Sequence, residues 1–184
     1  MTLVVPYDPE WPRLFAEIRG LIQRNIPGKF YAVEHVGGTS VPGMTAKPII
    51  DVDVVVREGQ FAIVRRHLEA LGYEYEGEKG VPGRESFRLR DPGLKSALAE
   101  HHLYVLEAGA EELKRHRAFR DYLVAHPDEA ERFSAHKLDI AQRLDIDLTD
   151  DRYAYEEAKS AMVLEILERA LAWYDCRPQT VPER

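Results

Sequence analysis

Apolar residues near the start of the chain recur with helical spacing: Trp11, Leu14, Phe15, Ile18, Leu21 and Ile22 fall on one face, with Asp8 placed to cap and Pro9 at the first helical position. Pro27-Gly28 closes that helix. The period then shortens to two, predicting strands over Phe30 to Val36 and over Pro48 to Val56, separated by a glycine turn and Pro42-Gly43. A helix is predicted from Gln60 to Leu71, with Phe61, Val64, Leu68 and Leu71 inward and Gly72 as its stop. Tyr73 to Glu76, Glu85 to Arg90 and His102 to Glu107 have strand character, the first two separated by the turn-rich Gly77 to Arg84. From Ala110 onward the pattern is helical, and His126-Pro127-Asp128-Glu129 marks a fresh helix start. The expected class is α/β (α+β): a small mixed sheet with flanking helices over residues 1–108, a helical part packed on it over 109–176, and a flexible tail over 177–184.

Candidate chemistry sits where the strand pattern is strongest. Val36-Gly37-Gly38-Thr39-Ser40 is a turn rich in glycine and hydroxyl groups, and the strand after it carries Ile50-Asp51-Val52-Asp53-Val54. Side chains alternate across a strand, so Asp51 and Asp53 share one face while Val52 and Val54 pack on the other. Two neighbouring carboxylates repel, which is costly in an apolar strand unless a cation, added positive charge or a proton neutralises them. Hard oxygen ligands favour Mg2+ or Mn2+, which commonly sit between carboxylates and substrate phosphates. The turn offers the complement, because glycines allow close approach and the amides with the Thr39 and Ser40 hydroxyls can hold an anion. The bland alternatives are a structural aspartate pair satisfied by Lys47 and a backbone amide, and hydroxyls that only cap the turn.

A second clue comes from basic residues on apolar stripes. Ala130, Phe133, Lys137, Ile140, Ala141 and Leu144 share one helical face; Tyr155, Lys159, Met162, Ile166, Ala170 and Trp173 share another; Leu113, His116, Arg120 and Leu123 or Val124 a third. Lysine and arginine are rarely buried without a partner, so Lys137, Lys159 and Arg120 either snorkel to the rim or face a shared anionic site. Arg84 and Arg88 flank the glycine-rich turn before a strand, where a phosphate contact competes with plain solvation.

Composition narrows the partners. A net charge of −7, from 25 basic and 32 acidic residues, argues against general nucleic-acid binding while leaving room for a local basic pocket. The single Cys176 excludes an internal disulfide and a cysteine-built zinc site. No apolar run is long enough for a membrane span and the N-terminus lacks a signal-peptide pattern, so the expected location is the cytoplasm.

The run "VEHVGGTSVPGMTAKPIIDVDVVV", the N-terminal "YDPEWPRLF", the central "GYEYEGEKGVPGRESFRL", the long "HHLYVLEAGAEELKRHRAFRDYLVAHPDEAERFSAHKLDIA" and the late "YAYEEAK" together resemble the GrpB-like family, within the nucleotidyltransferase (polymerase-β-like) superfamily. The resemblance implies a nucleotidyltransferase-like fold and, because similar domains are fused to dephospho-CoA kinase in some bacteria, a coenzyme A or nucleotide connection. Two departures stand out. The family commonly has Gly-Ser-Thr-Ser where this chain has Gly37-Gly38-Thr39-Ser40, and its late strand usually carries His-Leu-His where this chain has His102-Leu103-Tyr104. Active nucleotidyltransferases place a third carboxylate on that strand; neither His102 nor Tyr104 supplies one, and Glu107 has the wrong parity.

Two functions follow. In the first, a nucleotidyl group passes from a nucleoside triphosphate to an acceptor: Asp51 and Asp53 hold Mg2+ or Mn2+, His102 is the base, and the Gly37 to Ser40 turn with Lys47, Arg84, Arg120, Lys137 and Lys159 binds phosphate. In the second, the domain binds a nucleotide or coenzyme-A-like ligand without turnover. Both make the partner a nucleotide or phosphorylated small molecule.

Overall fold

The structure is a computed structural model, and it describes residues 4–28, 31–143 and 152–177. Strands β1 (Tyr31–Val36), β2 (Ile50–Val56), β3 (Tyr73–Gly77), β4 (Glu85–Leu89) and β5 (His101–Glu107) form one sheet in the order β1-β2-β5-β4-β3. β2 and β5 run parallel, and the other neighbours pair antiparallel. Helices α1 (Trp11–Asn25), α2 (Phe61–Ala70) and α3 (Pro92–Ala97) precede β5, and α4 (Glu111–Ala125), α5 (Pro127–Arg143) and α6 (Arg152–Asp175) follow it.

Alternation along β2 sorts the molecule into layers. Ile50, Val52, Val54 and Val56 join Leu103 and Val105 of β5 and Phe87 and Leu89 of β4 in a core closed by Trp11, Phe15, Ile18 and Ile22 of α1 and Val64 and Leu68 of α2. The opposite face carries both aspartates. There Val55 and Leu106 pack on Leu113, which places α4 over that side of the sheet. Val41 and Met44, from the loop before β2, pack among Ala118, Leu123, Phe133 and Ile166 of α4, α5 and α6. The helical half therefore grips the segment that aims β2.

Local differences from the sequence reading have local causes. Helix α1 begins at Trp11, because the Asp8 carboxylate accepts the Glu10 N–H (2.9 Å) and its carbonyl accepts the Trp11 N–H (3.1 Å), holding Pro9 in a turn outside the helix. α3 has too little apolar periodicity to show in the sequence; it forms because the Asp91 carboxylate caps Leu94 N–H at 2.8 Å with Pro92 in the first turn. Phe30, Leu144 and the tail beyond Arg177 lie outside the described residues.

Lys137 shows how α5 holds the loop before β2. Its ammonium donates to the Thr45 carbonyl, the Ser134 hydroxyl accepts the Thr45 N–H at 3.0 Å, and Nζ lies 4.5 Å from the centre of the Phe133 ring. Burial, with Lys159 adding repulsion, lowers Lys137 to about 7. The unfolded chain, with a lysine near 10.5, then binds more protons than the folded one between those values. The penalty of charging Lys137 is fully present below about pH 7 and disappears as pH rises through 10.5. Melting temperatures of wild type and Lys137→Met measured across this range should shift in favour of the variant at the acid end, and in favour of wild type at the alkaline end.

Candidate functional site

Register places the functional face row by row. Val36, Asp51 and His102 stand opposite one another across β1, β2 and β5, and the next row reads Glu34, Asp53, Tyr104 and Ser86 across β1, β2, β5 and β4. Asp53 is fully buried, whereas the Asp51 side chain keeps 28% of its exposure. Each aspartate has a histidine: His102 Nδ1 donates to Asp51 Oδ1 at 2.9 Å, and His116 Nδ1, from α4, donates to Asp53 Oδ2 at 2.8 Å. The structural pairing expected with Lys47 is not what holds them; Lys47 lies over the Tyr155 ring instead.

His116 bridges two acids, because its Nε2 also reaches Glu112 Oε1 at 3.4 Å. Burial disfavours its charge, but the bonds to Asp53 and Glu112 outweigh it and raise His116 to about 9. Burial pushes the Asp53 carboxyl up against the pull of His116, and the negative charges of Asp51 and Glu34 add to the push. Glu34 is a third acid on this face. Burial opposes its ionisation, yet Arg117 and Arg120 hold it below the usual carboxylate range. Arg117 donates Nε to both Glu34 oxygens at 3.2 Å, and Arg120 Nη1 reaches Glu34 Oε2 at 3.2 Å and the His35 carbonyl at 3.1 Å.

The glycine turn backs directly onto Asp51. Gly37 has φ +70° and ψ −168°, and a β-carbon there would overlap Asp51 Oδ2 and lie 2.9 Å from its Cγ. Only glycine combines that backbone with that neighbour. Gly38 is tightly backed too, a β-carbon there falling 3.0 Å from Ala46 Cβ. The Ser40 hydroxyl donates to the Gly37 carbonyl (2.6 Å), and the buried Thr39 hydroxyl donates to the Ile49 carbonyl (3.3 Å). His35 Nε2 then donates to Thr39 at 2.9 Å; burial lowers His35 to about 4, so it is neutral. Both hydroxyls brace the turn, as does the Ser40 N–H, which donates to the Gly37 carbonyl at 3.2 Å, so an anion would draw on the Gly38 and Thr39 amides.

The remaining candidates divide into places. Arg120 belongs to the Glu34 network beside Asp53. Lys47 and Lys159 lie 4.7 Å and 5.3 Å from the centre of the Tyr155 ring, and Lys159 is close enough to Lys137 to repel it, so these three lysines form a basic group around the loop before β2. Arg84 lies 4.7 Å from the Tyr104 ring centre, on the β4 side. Arg88 is taken by Glu76 at 2.8 Å, and Glu107 accepts the Gly59 N–H at 3.0 Å, remote in register from the aspartates.

Asp53 Oδ1 is buried with no hydrogen-bond partner. A fully buried carboxylate oxygen without a donor, beside a second carboxylate, suits a hard cation. Among the described residues, no group of three or more His, Cys, Asp and Glu side chains is arranged to hold a metal ion by itself. A cation at Asp51 and Asp53 would complete its shell with ligand oxygens and water. No described helix is long and apolar enough to cross a membrane.

Residues 2–169 match the family described as GrpB protein. Protein YqkA of Bacillus subtilis is 32% identical over 174 residues, covering 92% of this chain and 47% of its own length, so the chain spans about half of that relative. The crystal structure of the conserved protein GrpB from Enterococcus faecalis superposes with a TM-score of 0.78 at 34% identity, covering 93% of this chain and 98% of that one. A dephospho-CoA kinase of Mycolicibacterium paratuberculosis is 25% identical over 198 residues, covering 94% of this chain and 46% of its own. The GLD-2/RNP-8 complex shares the fold at 10% identity, with a TM-score of 0.54 over 96% of this chain and 64% of that chain. The mixed α/β fold is thus shared with both of those solved structures.

Two measurements probe the site's construction. Gly37→Ala should lower stability by about 1–3 kcal/mol from backbone strain and further by displacing Asp51, whereas Gly43→Ala, with φ +79° and nothing within 4 Å of the new carbon, should show the strain alone in urea denaturation. For His116, a folded value of about 9 against 6.5 means its stabilisation is complete below 6.5 and is lost as pH rises through 9. The stability gap between wild type and His116→Gln should therefore close across that window in metal-free buffer.

Proposed function

The chain belongs to the GrpB family, and on that premise we propose that its aspartate face is a metal-dependent nucleotidyltransferase site acting on a nucleoside triphosphate and an acceptor. The observation that carries this reading is the fully buried, donor-less Asp53 Oδ1 beside Asp51, with the Gly37 turn pressed against the Asp51 carboxylate. Asp51 and Asp53 would hold Mg2+ or Mn2+, which when bound neutralises phosphate oxygens and the charge that builds on them during transfer.

The chain's own groups then have distinct tasks. Glu34, Asp51, Asp53 and Glu112 are matched by Arg84, Arg117, Arg120 and protonated His116, so a divalent cation tips the face positive and favours a polyanionic ligand. The amides of the glycine turn bind phosphate next to Asp51. Lys47 and Lys159 supply positive potential from the helical side, and Lys137, lowered to about 7, adds to it only in its charged form. His102 donates an Nδ1–H hydrogen bond to Asp51, which leaves Nε2 of a half-exposed side chain to take the acceptor's hydroxyl proton.

A second reading, a non-catalytic module for a nucleotide or coenzyme-A-like ligand, has one observation in its favour: β5 presents His102 and Tyr104 where a third catalytic acid would stand, and the third acid present, Glu34, is clamped by two arginines. Titration calorimetry separates the possibilities. Mg2+ with a nucleoside triphosphate should bind wild type, and Asp51→Asn should weaken that binding at least about tenfold by removing a charged ligand. Asp51 is the informative position, since Asp53→Asn also strips buried His116 of a partner. Undiminished binding by Asp51→Asn would refute the metal role; pyrophosphate release favours the enzyme, and binding without turnover favours the module.

A further inference from the structure

Three buried polar atoms on the functional face have no hydrogen-bond partner: Asp53 Oδ1, Ser86 Oγ and Arg84 Nε. They are not scattered. Ser86 stands opposite Tyr104, Tyr104 stands opposite Asp53, and the Arg84 guanidinium lies over the Tyr104 ring, so the three atoms flank one aromatic side chain. On the proposed reading Asp53 Oδ1 would be met by a cation. The other two are donors, and Ser86 retains only 4% exposure. A guanidinium over a ring gains cation–π attraction, but its N–H still lacks an acceptor.

The fold goes to some length to deliver Arg84 there. The loop between β3 and β4 takes positive φ at Gly77, Lys79, Gly80 and Gly83; the Glu78 carboxylate accepts the Gly83 N–H at 2.6 Å, and the Arg84 N–H closes a turn on the Val81 carbonyl at 3.1 Å. The neighbouring acids take their hydrogen bonds from other groups, and Arg84 acts on Glu112 only through its charge. Glu85 accepts the Tyr75 hydroxyl at 2.5 Å, and Glu112 is taken by Arg115 at 2.9 Å and by His116.

We infer that Arg84 and Ser86, around Tyr104, form a second anion-binding subsite that takes the oxyanion group, carboxylate or phosphate, of the molecule accepting the transferred group. This rests on the reading of Asp51 and Asp53 as a metal and triphosphate site, and it extends that reading to the other substrate. The sheet order gives the geometry: the glycine turn follows β1, Arg84 and Ser86 lie at β4, and β2 and β5 with the aspartates stand between. In-line displacement requires the attacking and leaving oxygens on opposite sides of the reacting phosphorus. Donor phosphates at the turn therefore put the acceptor on the β5–β4 side, where His102 and the two unpartnered donors are. Paired donors of this kind recognise an oxyanion, and an acceptor bearing one beside its hydroxyl gains both binding and orientation.

The test is an NMR titration of the full chain that follows the Arg84 Nε–H resonance, assigned by its disappearance in Arg84→Met. Inorganic phosphate and sodium acetate are the two probes, each added with and without Mg2+ and a non-hydrolysable ATP analogue at saturation. Arg84 should shift saturably with one probe, which identifies the oxyanion, and the shift should persist with the analogue bound. Ser86→Ala, a substitution that removes an unpartnered hydroxyl and leaves the fold intact, should weaken that binding about tenfold. No shift with either probe, a shift indifferent to Ser86→Ala, or a shift abolished by the analogue would overturn the subsite. An Arg84 response in a protein that fails to bind the analogue would uphold the subsite while overturning the nucleotide reading.

Discussion

The bond from His116 on α4 to the buried carboxylate of Asp53 on β2 is the contact on which the rest of the functional face depends. An ionised carboxylate in the interior is tolerated only with a partner, and the partner comes from the helical half, 63 residues away in sequence. Anchored there, α4 brings Arg117 and Arg120 onto Glu34, so charges on adjacent strands are neutralised from a single helix. The helical half is thereby part of the site. Its second grip, through Ser134 and Lys137 on Thr45, fixes the loop that leads into β2.

This arrangement divides the work along one strand. Ile50, Val52, Val54 and Val56 supply apolar burial against α1 and α2, and Asp51 and Asp53, alternating with them, stand together on the other face. The register with β5 adds His102 to the aspartate nearer the glycine turn and Tyr104 to the deeper one. Position along the strand sets their environments. Asp51, partly exposed, can exchange partners, whereas Asp53 is held by a histidinium whose charge the interior itself would disfavour.

How much of this was legible follows from the range of each signal. Strand parity is local, so the shared face of Asp51 and Asp53 and the turn of Glu107 away from that face could be read from spacing alone. Helical periodicity is equally local: it marked Lys137, Lys159 and Arg120 as inward, but it cannot say what an inward lysine meets. Lys137 meets a backbone carbonyl and Arg120 a glutamate of β1. His116 lay on a recognised stripe and escaped notice because its partner is on another element; Glu112 four residues before it was the only local hint. A search for a third acid confined to β5 also missed Glu34, since register between β1 and β2 depends on the tertiary pairing.

Charge balance ties the parts together. Glu34, Asp53 and Glu112 are offset by Arg117, Arg120 and His116, so most of the face is neutralised by its own neighbours, and Asp51 and the Arg84 guanidinium are the less fully matched ends. On the proposed reading, a cation at the aspartates frees positive potential for an anion, and an anion's oxygens complete the shell that the two carboxylates leave open. Each ligand raises the affinity of the other by the same factor. His116 tempers that coupling, since a cation at Asp53 would compete with its proton, and a proton lost there offsets part of the charge the cation brings. On the proposed reading, a polyanion delivered with its metal would be favoured over a free one, through the same buried contact that joins the helices to the sheet.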